Sequence, residues 1–586
     1  MSRRAPTAGP PRGNPERPRC RPVGMLTPVT SAPAPPNARK PHASSPDGGL
    51  LKSSALMAAG TVVSRITGFL RTLVMATAIG VGTLNDTYQV ANTLPTMIYV
   101  LVGGGALNSV FVPQLVRAMK EDPDGGEAYA NRLLTLVAVL MAAVTAVCVL
   151  GAPLLVHAMS PSIAADPHQQ RVAVAFARYC LPTMFFMGVH VVLGQILNAR
   201  GRFGAMMWTP VLNNLVVIAS FGAFVWAFGP FTRSHVDAAG VTPEGVRLLG
   251  VGTLLGLAVQ ALAMVPYLRA AGFRIRPRLD WRGHGLGRAA RLARWTFLFV
   301  LANQAGMVVV TQLATWAGSA AERQGHTGTG ITAYNYALLL WQMPQAIVTV
   351  SVMTAVLPRI SRAAQDGDLA AVRADLSSGL RTSAVVVVPC AFAFLALGLP
   401  LATLLYSGTD HEGARGVGYV LMAFGLGLIP YSAQYVVLRG FYAFEDTRTP
   451  FTNTVVVAAV NALASAACFR LLPARWAVAG MAASYGLAFA VGVGVAWRRL
   501  RRRLGGDLDG ARVRRTYAAL CAASAVAALA GGAVGAGLLG RLGSGVPGSL
   551  AALAAGGAVF TGVYVGAARA LRVEELRAAT GLLRRR

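Results

Sequence analysis

Apolar runs of about 20 residues recur between residues 55 and 571, separated by short polar loops. A helix needs a run of that length to cross ~30 Å of hydrocarbon at ~1.5 Å per residue. Lipid offers the backbone no hydrogen-bond partner, so membrane-crossing segments are helices or the strands of a closed barrel. Barrel strands need only ~9–11 residues, which these runs exceed. The fold class expected is therefore all-α, a polytopic membrane protein. Composition agrees: 54% of the residues are hydrophobic and 13% are charged.

Fourteen transmembrane helices are predicted, with cores at 55–80, 88–116, 132–158, 172–199, 205–229, 248–268, 293–318, 331–358, 382–406, 416–444, 451–472, 476–498, 516–540 and 547–571. The loops test that number, because Lys and Arg accumulate on the cytoplasmic side of membrane proteins. With the N-terminus in the cytoplasm, the inner loops and C-terminal tail hold 32 cations, and the outer loops and span ends hold nine. One span more or fewer scrambles that alternation. Both termini are thus expected in the cytoplasm of a multi-pass plasma-membrane protein. The net charge of +30 lies mainly in these short loops and the two termini, so nucleic acid is not the expected partner. Residues 1–50, rich in Pro, Arg, Ala and Ser, read as a disordered cytoplasmic tail without the layered order of a signal peptide. The six cysteines are scattered and have neither disulfide-framework nor metal-ligand spacing. No metal or cofactor is expected.

The two halves of the chain echo each other. Phe111-Val112-Pro113-Gln114-Leu115 ends the second span, and Val356-Leu357-Pro358-Arg359-Ile360 ends the eighth. Pro210-Val211-Leu212-Asn213 follows the fourth span as Pro450-Phe451-Thr452-Asn453 follows the tenth. An offset of about 240–245 residues corresponds to six spans. An even number keeps orientation, so the repeat is parallel, giving two six-helix lobes about an axis along the membrane normal. The expected organisation is an N-lobe at 51–270, a C-lobe at 271–500, and an appendage at 501–586 with spans 13 and 14 and a basic tail.

Polar residues inside the spans carry the functional signal. Arg65 lies roughly 15 Å into the first span, where a guanidinium costs at least ~2.5–3.5 kcal/mol unless it meets water, a partner or a ligand. The ligand it implies is anionic. Arg71 points about 120° away from Arg65. It either contacts substrate, braces a neighbouring helix or snorkels to the interface. Gly60, Ser64 and Gly68 form a small-residue row suited to close helix approach. Two readings of Asp86 stand together: an N-cap of the second span, and an acidic partner for Arg65 or Arg71 that closes a gate. Pro95, Gly103, Gly104 and Gly105 should bend the second span and serve as a hinge. Asn303, Gln304, Gln312, Asn335, Gln342, Gln345 and Gln434 divide between cavity lining and interhelical bonding. Arg439 lies near a helix end and snorkels easily. The chain has no Gly-rich phosphate loop, HExxH or nucleophile elbow, which argues against a built-in ATPase or an enzyme.

Ser64-Arg65-Ile66-Thr67-Gly68-Phe69-Leu70-Arg71, Asn85-Asp86-Thr87-Tyr88-Gln89-Val90-Ala91, Leu94-Pro95 and Gly104-Gly105-Ala106-Leu107 appear in that order. Together they resemble the amino-terminal signature of the MurJ (MviN) family, the bacterial lipid II flippases of the MOP exporter superfamily. The resemblance covers roughly residues 52–500. It implies a V-shaped two-lobe fold with a cationic central cavity. It also implies roles in flipping for Arg65, Arg71 and Asp86, and a groove for the polyprenyl tail on spans 13 and 14. The family's better-known members carry paired arginines where this chain has Tyr99 and Val100. They carry Asp-Arg where it has Leu338 and Leu339, and an acidic residue at Gly104. That pattern looks like actinobacterial members and predicts a cavity with fewer cations.

The candidate substrate-binding set is Arg65, Arg71, Asp86, Ser64 and Gln342. The implied function moves the head group of lipid II, an undecaprenyl-pyrophosphate-linked disaccharide-pentapeptide, to the outer leaflet by alternating access. The implied partners are lipid II, membrane lipid and divisome or elongasome wall-synthesis proteins. The alternatives are a related exporter of another polysaccharide-lipid or a drug, and a non-transporting scaffold for wall-synthesis enzymes.

Overall fold

The computed structural model describes residues 47–104, 117–118, 122–234, 240–279 and 294–576. Among these, 13 helices are long and apolar enough to cross a membrane. They match the predicted spans one for one, apart from the second. That span begins as the helix Thr83–Tyr99 and continues as a π turn at Val100–Gly104. Its continuation from 105 to 116, including Gly105, lies outside the described residues, as do the predicted tail up to residue 46 and the basic end from 577. The chain has the expected all-α, polytopic membrane fold.

The repeat is visible in the irregularities more than in the regular helices. The fourth span, Pro167–Ala199, and the tenth, His411–Ala443, are both 33 residues long. Each breaks midway, the fourth between Cys180 and Thr183 and the tenth at the 3₁₀ turn Gly425–Gly427. The π turns begin at Val100 and Gln345, 245 positions apart. A π turn inserts one residue into the helical ladder and leaves carbonyls loosely bonded, so it persists where a bend is used. Local sequence explains both. Pro95 and Gly103-Gly104 weaken the second span, and Pro344 immediately precedes the turn in the eighth.

The fifth span, Gly204–Phe228, packs on the sixth, Pro243–Ala270. The eleventh, Arg448–Leu471, packs on the twelfth, Ala474–Arg503, in the same way. The last two spans, Gly510–Leu542 and Val546–Ala570, pair with each other and lean on the ninth, Leu369–Leu405. Gly531 faces the Gly556 carbonyl so closely that a Cβ would lie 2.6 Å from it. The Tyr564 hydroxyl donates to the Val385 carbonyl at 2.6 Å. Arg381 and Glu575, both largely buried, form an ion pair at the foot of this trio.

The end of the bundle that holds residues 80–82 is called the upper end below. At the lower end, Asp446 joins the tenth and eleventh spans. It accepts from the Thr449 amide at 3.0 Å and from its hydroxyl at 2.8 Å, and it pairs with Arg503 at 2.6 Å. Partial burial pushes its carboxyl up. The Thr449 bonds and the Arg503 guanidinium outweigh that and hold it below the usual aspartate range.

Candidate functional site

The first span, Ala59–Ile79, is fixed against the fifth by its small-residue row. A Cβ on Gly60 would lie 2.9 Å from Trp208 Nε1, and one on Gly68 3.4 Å from Asn214 Nδ2. Asn214 donates to the Ser64 carbonyl at 3.1 Å and to the Thr67 hydroxyl at 3.0 Å. Ser64 is therefore seated on the packing row and is half-buried. Docking this face leaves a stripe through Val62, Arg65, Ile66 and Leu70 exposed. Arg65 is on that stripe, about 21 Å from the upper end of the helix. Among the described residues it has no ion pair or hydrogen bond, so its charge is free to meet a ligand.

Arg71 lies one and a half turns higher and is half-buried, with its Nε enclosed and unpartnered. Its charge is felt at the hydroxyls of Tyr88 and Tyr336, one from each half of the chain. It thus sits beneath a seam where the two halves meet.

Three hydrogen bonds between the halves build that seam. The Gly328 amide donates to the Val81 carbonyl at 3.1 Å. The Asn85 side chain donates to the Gly80 carbonyl at 2.6 Å and to the Tyr336 hydroxyl at 2.8 Å. Tyr336 stacks on Tyr406, with ring centroids 5.1 Å apart and planes 6° from parallel. The Thr332 amide donates to Asp86 Oδ1 at 2.8 Å. Two predicted roles for Asp86 are corrected here. The N-cap of its own helix is Gly82, and Asp86 forms no ion pair with Arg65 or Arg71. It caps the first turn of the eighth span, where free amides and the positive end of the helix dipole favour a carboxylate. Two glycines make room for it. A Cβ on Gly330 would lie 1.8 Å from Asp86 Oδ2, and one on Gly318 3.2 Å away. Lower down, Gln304 of the seventh span donates to the Met97 carbonyl at 3.1 Å, three residues before the π turn.

Inside the second half lies a cavity of about 370 Å³. Asn303, Asn335, Gln434 and Asn461 bring four carboxamides to it from the seventh, eighth, tenth and eleventh spans. Tyr334, Tyr431, Tyr435 and Tyr485 add four phenols. Leu338 lines it as well, and among the described residues no charged side chain does. Arg439 stands one turn from Tyr435, donates to its hydroxyl at 2.5 Å, and spreads over its ring at 4.5 Å from the centroid.

The structure thus brings Arg71 and Asp86 close to one seam and leaves Arg65 open below them. Gln342 is half-buried in the eighth span, without a hydrogen bond of its side chain and outside the cavity lining. Pro95 lies five residues before the π turn, and Gly103 and Gly104 lie within it. Asn303, Asn335 and Gln434 line this cavity inside the second half, a different place from the central cavity expected between the lobes. Gln304 and Gln312 fall on the bonding side of the predicted division between lining and bonding, the latter donating to the Ala158 carbonyl at 2.7 Å. The tyrosines and Asn461 carried no signal at the level of sequence, since tyrosine in a span reads as packing or as an interfacial anchor.

The family model described as "Lipid II flippase MurJ" matches residues 75–556. A probable lipid II flippase MurJ from Rhizobium meliloti (strain 1021) is 28% identical over 419 residues, covering 70% of this chain and 74% of that protein. The lipid II flippase MurJ of Burkholderia cenocepacia is 26% identical over 413 residues, covering 69% and 75%. Among solved structures, a lipid II flippase MurJ in an inward closed conformation superposes with a TM-score of 0.67 at 18% identity, over 88% of this chain and 99% of that one. An inward-facing MATE transporter of the MOP superfamily gives 0.60 at 16%, over 75% and 95%. The structural likeness establishes the shared fold, and the family match extends over most of the sequence: the chain belongs to the MurJ family.

Proposed function

We infer that this chain is a lipid II flippase, which carries the head group from the cytoplasmic to the outer leaflet by alternating access and so supplies cell-wall synthesis. The observation that carries the reading is Arg65, a deep guanidinium left exposed and unpaired below a seam built from both halves. An unpaired guanidinium at this depth suits a pyrophosphate. A drug cation would call for free carboxylates, and Asp86, at this seam, is engaged with the Thr332 amide.

With both termini in the cytoplasm, the upper end is the outer one, and the seam closes the outer gate. The head group enters from below, where Arg65 counters pyrophosphate charge. It next meets Arg71, whose Nε lacks a partner at the top of the path. Rocking of an N-lobe at 51–270 against a C-lobe at 271–500 parts the seam, and the π turns at Val100–Gly104 and Gln345–Thr349 absorb the bend. The polyprenyl tail remains in lipid along the last two spans. No covalent bond changes, so the protein acts as a carrier and not as an enzyme. An anionic cargo moving outward gains about 2.3 kcal/mol per charge per 100 mV of inside-negative potential. Wall-synthesis proteins of the divisome or elongasome would consume the product outside.

The test is depletion of the native protein followed by an assay of externally accessible lipid II. Arg65→Ala should lower that pool about tenfold or more, and Arg65→Lys should restore part of it. A pool that persists with Arg65→Ala in cells lacking any other flippase refutes the reading and leaves the scaffold as the better account.

A further inference from the structure

We propose that the cavity inside the second half is a subsite for uncharged carbohydrate, taking the N-acetylated disaccharide of the head group while the arginines of the first half take the pyrophosphate. This rests on the lipid II reading and adds where the neutral part of the cargo goes.

At about 370 Å³ the cavity falls in the range of small-molecule sites, and it is far larger than the ~30 Å³ of one water. Among the described residues its lining lacks Asp, Glu, Lys, Arg and His, which leaves a cation without a carboxylate and a phosphate without a countercharge. Each of its four carboxamides offers both donors and an acceptor. Sugar hydroxyls and acetamido groups present the same alternation. Tyr431 and Tyr485 are held edge-on to Phe489 at 4.8 and 4.9 Å between centroids. Their rings are thereby fixed, and rigid apolar faces suit the C–H side of a pyranose.

Two of the amides are incomplete. Asn461 is 5% exposed and Gln434 4%, and the amide oxygen of each is buried without a partner. A buried acceptor left unpaired is costly, and a turn of either amide toward the cavity would bring its oxygen to a sugar hydroxyl. Gln434 keeps its position because Gly492 of the twelfth span makes room: a Cβ there would lie 2.3 Å from Gln434 Oε1. Asn303, exposed at the rim, gives the cavity an open side.

The experiment uses the full chain in lipid nanodiscs and compares binding of lipid II with binding of undecaprenyl pyrophosphate, which lacks the sugars and peptide. The unaltered protein should prefer lipid II about tenfold. Asn461→Leu and Asn335→Leu should each remove that preference and leave affinity for undecaprenyl pyrophosphate unchanged. Asn303→Leu, at the exposed rim, should reduce the preference without lowering the melting temperature, which guards against misfolding of the buried variants. A preference that survives all three substitutions overturns the carbohydrate subsite and leaves the flippase reading standing. A sodium-dependent thermal shift that disappears in Asn461→Leu also overturns it, by giving the cavity to a cation. A chain that binds neither lipid removes the flippase reading first, and the subsite with it.

Discussion

The second and eighth spans hold matching places in the two halves, and both pass through a π turn 245 positions apart. Their first turns nevertheless do opposite things. The second span brings a carboxylate, Asp86, and the eighth brings free amides at Ile331 and Thr332 for that carboxylate to cap. The first and seventh spans diverge in the same sense. One carries Arg65 on its open face, and the other carries Asn303. A duplicated scaffold would make a symmetric and featureless seam if its halves stayed alike. Divergence of a few side chains on a conserved plan gives one half charge and the other neutral hydrogen-bonding surface. On the proposed reading, that asymmetry would let a single path read two chemical parts of one cargo.

The largest effects are expected where the halves touch. Asp86→Ala leaves the first-turn amides of the eighth span without an acceptor. A hydrogen bond to a charged group is worth about 1.5–3 kcal/mol, enough to shift a two-state closure by tenfold or more. In a chain freed of its own cysteines, a reporter Thr77→Cys faces Gly408 across the seam, where a Cβ would lie 2.0 Å from Thr77 Oγ1. Labelling of that cysteine by an impermeant maleimide from outside should rise about tenfold with Asp86→Ala. Gly330→Ala should act alike, because its Cβ would fall 1.8 Å from Asp86 Oδ2. The two changes together should then cost little more than either alone. Additive effects would show that the glycine and the aspartate do not share one contact.

The fold was legible in this sequence because hydrophobic length and the distribution of cations are set by the bilayer, and both are local, countable properties. Arg65 was legible for the same reason, since a charge in mid-span conflicts with its surroundings wherever the helix packs. Asp86 was visible as important but not as a cap on the eighth span. Its partner is a backbone amide 246 positions away, and amides carry no residue identity. Tyr99 and Val100, aligned with arginines in better-known relatives, reported only a loss of charge. The neutral cavity was harder still. Asn303, Asn335, Gln434 and Asn461 are scattered over four spans, and only the fold makes them neighbours.

A smaller effect separates the halves from the inside. Gly492→Ala places a Cβ where Gln434 now rests its amide, 2.3 Å from Oε1. Overpacking of this kind costs about 1–3 kcal/mol unless the neighbour can move. The same Cβ would lie 2.4 Å from Val457 Cγ2, so two buried neighbours must give and the variant should lose a few degrees of melting temperature. Labelling at Thr77→Cys should stay unchanged, because the two side chains crowded by the new Cβ, Gln434 and Val457, make no hydrogen bond across the seam among the described residues. Movement of both readouts would mean that the cavity and the seam form one cooperative unit.

The smallest effect is expected at the lower end, in the joint between the tenth and eleventh spans. Asp446 has its carboxyl held below the usual aspartate range by Thr449 and Arg503. A folded value below the unfolded one means that the carboxylate stabilises the protein above the ordinary aspartate pKa of about 3.9. That contribution is lost as the pH falls through the lower, folded value. Asp446→Asn should therefore lower the melting temperature slightly at pH 7, and the gap to the unaltered chain should close as the medium is acidified through that window. The joint's partners, Thr449 and Arg503, both lie in the second half, so Thr77→Cys labelling should be unaffected at neutral pH. A gap that stays constant with pH would assign the contribution to the hydrogen-bond geometry around Thr449 and not to charge.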